Sequence, residues 1–181
     1  MLSDENRKQL LAIARTSIEC AFDGCFDQPD EAQVDEALRR PAGAFVTLRT
    51  PDGDLRGCIG SIQAREPLFR AVHSSALSAA FRDPRFPQVQ REELDNLHLE
   101  ISVMGPIERV ERFEEIVVGR DGLIVTRGGY AGLLLPQVAS EYGWDRETFL
   151  DQTCVKAGLP KAAWRQPGTV VEKFSAEVFE E

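Results

Sequence analysis

Histidine is nearly absent from this chain, with only His73 and His98 present. Four cysteines occur, at positions 20, 25, 58 and 154, and none belongs to a Cys-x-x-Cys pair. These scarcities argue against a structural zinc site, which needs four Cys or His ligands at short spacings, and no metal is expected. No apolar run approaches the ~18 residues of a spanning helix, so no helical membrane span is expected. The opening residues, MLSDENRKQL, are polar and lack an apolar stretch behind basic residues, so they do not read as a signal peptide. A cytoplasmic, reducing location with free thiols follows as the expectation. Also missing are G-x-G-x-x-G after a strand, G-x-x-x-x-G-K-[ST], H-E-x-x-H and G-x-S-x-G. Rossmann, P-loop, zincin and nucleophile-elbow chemistries therefore lose their sequence support.

What is present fits one globular domain spanning 1–181. With 43% apolar and 28% charged residues, 181 residues suffice to bury a core without disulfides or metal. The net charge of −9 argues against broad electrostatic binding of nucleic acid. Charge is unevenly spread, however. Residues 39–91 carry nine Arg against four acids, while the rest of the chain carries twelve Lys or Arg against twenty-six acids. An ordinary solvated surface accounts for this. A basic face for an anionic ligand or RNA is the alternative.

Along the chain, Ser3 is placed to cap a first helix, with Asp4 and Glu5 favourable to its dipole and Gly24 ending it. Leu10, Ile13, Ala14, Ser17 and Ala21 give that helix a buried face, and Cys20 reads as a small core residue beside them. Cys20 and Cys25 straddle the helix end. Their spacing allows a pairing that a reducing compartment opposes. Residues 28–41 read as a connection with helical turns. Strands are predicted over 43–50 and 55–62, joined at Pro51-Asp52-Gly53 as a hairpin. A helix over 66–81 follows, with Leu68, Ala71, Val72, Ser75 and Ala79 inward, which leaves His73 at the surface or rim. Asp83–Val89 (DPRFPQV) is a fixed loop with an aromatic anchor at Phe86, because two prolines exclude a helix interior or central strand. A strand over 97–104 sets Leu97, Leu99, Ile101 and Val103 against His98, Glu100, Ser102 and Met104 on the other face. Further strands fall within 116–136, with turns marked at Asp121-Gly122 and Gly128-Gly129. A helix capped by Asp145 carries Cys154 as a core thiol, and a last strand covers 170–179. Strands joined by short turns, without regular βαβ alternation, imply an α+β fold with a largely antiparallel sheet flanked by helices.

The hexapeptide Leu55-Arg56-Gly57-Cys58-Ile59-Gly60 is the densest concentration of unusual residues. Glycines weaken a strand and mark a close backbone approach. Alternation sets Arg56, Cys58 and Gly60 on one face and Leu55, Gly57 and Ile59 on the other. A guanidinium beside Cys58 would favour thiolate, the recipe for a nucleophile or redox thiol. A core cysteine with glycines that admit a neighbouring element is the competing reading. If Cys58 is a nucleophile, His98 and Glu100 are its candidate proton acceptors, provided their strand lies beside the hexapeptide. Glu100 could instead pair with Arg56.

The same hexapeptide is similar to the signature of the AMMECR domain family. GAFVTL (43–48), SALSAAFRDPRFPQV (75–89), LHLEISVM (97–104), GLLLPQVASEYGWD (132–145) and FLDQTCVKAGLP (149–160) resemble that family too, in the right order. Met104 and Gly105 depart slightly from its pattern. The resemblance is strongest to the prokaryotic branch called AmmeMemoRadiSam system protein A. It implies two unequal subdomains around a cleft, and a genomic association with a Memo-like protein and a radical S-adenosylmethionine enzyme. It implies no established reaction or cofactor, and it places a functional site on Leu55, Arg56, Gly57, Cys58, Ile59 and Gly60 with roles unassigned. The expected function is a binding or accessory module acting with those two proteins. An enzyme using Cys58, with His98 or Glu100, is the alternative, and anion or RNA binding by 39–91 is the second.

Overall fold

The computed structural model describes all 181 residues, Met1–Glu181. The chain divides into two compact units, Met1–Met104 with Glu177–Glu181, and Gly105–Ala176. No helix is long and apolar enough to cross a membrane.

In the larger unit, helix α1 (Asp4–Phe22) begins where the Ser3 hydroxyl accepts the Asn6 N–H at 3.1 Å. This satisfies one of the donors that a helix start leaves unpaired. Strands β1 (Ala44–Arg49) and β2 (Leu55–Ser61) form the expected antiparallel hairpin, turning at Gly53 with φ 87°. Strand β3 (His98–Met104) pairs antiparallel with the other edge of β1. The C-terminal residues of β7 (Val170–Glu180) lie on the far side of β3, where the Glu181 N–H donates to the Leu99 carbonyl at 3.2 Å. β2 is therefore an edge strand and β1 is central. Val46, Leu48, Leu99 and Ile101 on the inward face are fully buried.

Helix α2 (Leu68–Phe81) packs on β1 and β2 with one side and on α1 with the other. That double contact corrects one expectation. His73, read as a surface or rim residue, is only 5% exposed. Its Nδ1 lies 2.8 Å from the Ser17 hydroxyl of α1, and burial lowers its pKa. A helix covered on two sides has no free face at the angle that His73 occupies. Cys20, read as a core residue, is in turn only half-buried. After α2 come the Asp83–Val89 loop and the single turn α3 (Arg91–Leu94).

The smaller unit carries β4 (Glu108–Arg109), β5 (Asp121–Arg127), β6 (Tyr130–Leu134) and the first part of β7, in the antiparallel order β4-β7-β5-β6. Helices α4 (Pro136–Glu141) and α5 (Arg146–Lys156) cover it. Phe149, Leu150 and Cys154 of α5 are fully buried against Leu123, Val125 and Ile116, as the apolar face of that helix predicts. Asp145 caps α5 by accepting the Thr148 N–H at 2.8 Å. Asp121-Gly122, expected at a turn, instead opens β5. The Asp121 carboxylate is buried and accepts the Val117 N–H at 2.9 Å. At Gly122 a β-carbon would lie 2.3 Å from the Phe174 ring, so the glycine makes room for an aromatic residue.

Gly57 meets the same kind of constraint against backbone. A β-carbon there would sit 2.2 Å from the Ala79 carbonyl oxygen of α2. Gly57→Ala should cost about 1–3 kcal/mol, because neither the helix nor the strand can retreat without unpacking its neighbours. Gly129→Ala, with nothing within 4 Å, should stay within about 0.5 kcal/mol of the native chain. Urea midpoints of the two variants measure the contrast.

Candidate functional site

The hexapeptide is the edge strand β2, so one row of its backbone groups has no strand partner. In an antiparallel ladder, alternate residues turn N–H and C=O away from the neighbouring strand. Cys58 is such a residue, and side chains of the Asp83–Val89 loop take both its groups. Its N–H donates to Asp83 Oδ2 at 2.9 Å, and its carbonyl accepts from Arg85 Nη2 at 3.1 Å. Arg85 also forks onto the Asp83 carboxylate at 2.9 and 2.7 Å. The Arg85 guanidinium, with the N–H groups of Cys58 and Arg85 itself, holds the buried Asp83 carboxyl well below the usual carboxylate range.

Arg56, two residues earlier, clamps the far end of the same loop. Its guanidinium is bidentate to Glu93, at 2.9 and 3.1 Å, and donates to the carbonyls of Pro87 at 2.9 Å and Gln88 at 3.3 Å. That contact keeps the Glu93 carboxyl below its ordinary range. Glu93 in turn accepts the Gln90 N–H at 2.7 Å and so closes the capping box of α3. The guanidinium expected beside the Cys58 sulfur is thus committed to a carboxylate and two carbonyls. Glu100, considered as its alternative partner, pairs with Arg49 at 3.7 Å.

The expected adjacency of β2 and β3 is not found, because β1 lies between them. Register sets Cys58, Thr47 and Glu100 in one row across the three strands, on the face opposite Gly57 and α2. Cys58 and Glu100 therefore share a face, but two strand spacings separate their backbones by roughly 10 Å. His98 is opposite Arg49, at the exposed start of β3, one row further along. The direct neighbour of the sulfur is the Thr47 hydroxyl, which donates to Cys58 Sγ at 3.3 Å. Thr47 had no signal of its own in the sequence. Only its register with Cys58 reveals it.

The remaining hexapeptide residues divide by face. Leu55 is exposed, Gly57 admits α2, and Ile59 is half-buried against the core. At Gly60 a β-carbon would lie 2.5 Å from the Phe45 ring. A cavity of about 280 Å³ opens beside Ile59, Gly60 and Ser61, with Arg65, Ser74 and Ser78 on its other walls. Of the nine arginines in 39–91, five are paired with carboxylates: Arg49, Arg56, Arg70, Arg85 and Arg91. The local excess of positive charge is correspondingly reduced.

Asp83→Asn should destabilise the larger unit by about 1.5–3 kcal/mol, the usual worth of charged hydrogen bonds. The sign with pH follows from the lowered carboxyl pKa. Its stabilisation is complete above the unfolded value near ~3.9 and is lost as pH falls towards the folded one. The native chain should therefore lose stability between about pH 4 and pH 2 more steeply than Asp83→Asn. Thermal melts across that window measure it.

Residues 11–179 match the family model described as AMMECR1. Protein NEQ441 of Nanoarchaeum equitans is 46% identical over 179 residues, which cover 95% of this chain and 98% of that one. A protein of Thermococcus gammatolerans is 48% identical over 190 residues, with 99% and 92% coverage. Among solved structures, the uncharacterized protein PH0010 from Pyrococcus horikoshii superimposes with a TM-score of 0.90 at 46% identity, over 99% of this chain and 93% of that one. The chain therefore belongs to the AMMECR1 family.

Proposed function

We propose that residues 1–181 act as one AMMECR-type domain of the AmmeMemoRadiSam system protein A branch. In this reading the domain is a cytoplasmic binding or accessory module for a Memo-like protein and a radical S-adenosylmethionine enzyme. One observation carries the preference for binding over catalysis. The polar groups of the hexapeptide are engaged in holding the Asp83–Val89 loop on the sheet edge, through Arg56 on one side and the Cys58 backbone on the other. The result is a fixed surface that displays Leu55, Pro84, Arg85, Pro87 and Gln88 to solvent. Preorganisation of this kind lowers the ordering cost of association. The two partners come from the resemblance and the genomic association it implies.

The test is capture of each partner by the purified chain at micromolar concentration. Arg56→Ala should free one end of the loop and weaken capture roughly tenfold, a loss of about 1.4 kcal/mol. Cys58→Ser should keep capture within about twofold. Failure to retain either partner removes the binding reading.

The Thr47 hydroxyl favours a second reading, in which Cys58 is a nucleophile or redox thiol. That hydroxyl donates to Cys58 Sγ at 3.3 Å and orients the sulfur on the face of the sheet away from α2. His98 and Glu100 would then need an intervening water or substrate group to reach it. Cys58→Ser that retains capture but loses function in the cell would favour this reading.

A further inference from the structure

The end of α1 brings two free thiols together, and neither belongs to the hexapeptide. The Gly24 N–H donates to the Ala21 carbonyl and the Cys25 N–H to the Cys20 carbonyl, both at 3.0 Å, with Gly24 at φ 76°. This pair of bonds is a Schellman closure, in which Cys20 and Cys25 hold the two positions whose side chains meet across the motif. The path from the Cys20 α-carbon through its carbonyl and the 3.0 Å bond to the Cys25 α-carbon cannot exceed about 7 Å. That limit stands at the upper end of the roughly 4.4–6.8 Å that a disulfide spans, and any bend at the hydrogen bond brings the two α-carbons closer. Both residues line one cavity of about 230 Å³, with Ile13, Thr16, Asp27 and Pro29. Cys25 is exposed and Cys20 half-buried, while Cys154 is fully buried. Burial, followed by the neighbouring Cys25 thiol, raises the Cys20 pKa, as expected if the sulfurs adjoin.

We propose that Cys20 and Cys25 are a reversible dithiol–disulfide pair, closed by exchange with a low-molecular-weight disulfide of the glutathione class. The exposed Cys25 thiolate attacks the small disulfide, forming a mixed disulfide and releasing one small thiol. The Cys20 thiolate then attacks Cys25 Sγ, forming the intramolecular bond and expelling the second small thiol. The protein loses two protons and two electrons, and the small disulfide is reduced to two thiols. In a reducing compartment the pair rests as thiols and closes only when the poise of the small-thiol pool rises. Closure ties the Cys25–Pro29 segment to the last turn of α1, where Phe22 packs edge-on against Phe81 at 5.3 Å.

The experiment treats the native full-length chain with excess oxidised glutathione, quenches it with acid, and then denatures and alkylates it for thiol counting and peptide mass mapping. The count should fall from four free cysteines to two. The product should be a Cys20–Cys25 linked peptide about 2 Da lighter than its reduced form, restored by dithiothreitol. Cys58 and Cys154 should remain alkylatable. Cys20→Ser should stop at a single glutathione adduct on Cys25. The proposal is overturned if the native chain halts at that adduct with Cys20 still free. It is equally overturned if Cys58 is consumed as fast as the pair, or if Cys20→Ser still loses two thiols.

Discussion

The backbone of Gly57 lies so close to the Ala79 carbonyl that no methyl group fits between strand β2 and helix α2. Much of the larger unit depends on that approach. It brings the end of α2 to the sheet edge, so that Asp83, two residues beyond the helix, reaches the outward N–H of Cys58. An edge strand with unpaired backbone groups is a liability for association with other chains. Here the exposed row at Cys58 is answered by a carboxylate and a guanidinium within one short loop. The same loop is tied at its other end by Arg56. Glycine, acid and arginine thus act as parts of one joint between strand, helix and loop.

This joint changes what the hexapeptide means chemically. A cysteine between glycines, two residues from an arginine, looks like an activated thiol when read along one strand. In three dimensions the arginine is matched by Glu93 and faces the loop. The group at the sulfur is the Thr47 hydroxyl of the central strand. The acidic residue in the same row, Glu100, is two strands away and already paired with Arg49. The surface that results is held to the sheet edge by hydrogen bonds at both ends of the loop.

The cysteines show how position in the fold separates residues of one type. Cys154 is closed off inside the smaller unit, and Cys58 borders the loop joint. Cys20 and Cys25 meet because a helix had to end. The left-handed glycine that terminates α1 folds the chain back by one hydrogen-bonded ring. The pairing is thus a by-product of satisfying the last carbonyls of the helix.

By itself, the sequence determined most of the elements and their order. The Ser3 and Asp145 caps, the Gly53 turn, the alternating strand 97–104 and the Cys154 face are local patterns, and each is decided by neighbours within a few residues. Family membership was equally legible, because six motifs in a fixed order leave little freedom. What tertiary structure alone decided was adjacency. Which strand lies beside β2, what faces Arg56, and whether the second side of α2 meets solvent or α1 all depend on residues 11 to 56 positions apart. His73 and the Asp121-Gly122 step were misread for that reason. Polarity predicts exposure only where nothing packs on top, and a glycine marks a turn only where no aromatic ring needs its space.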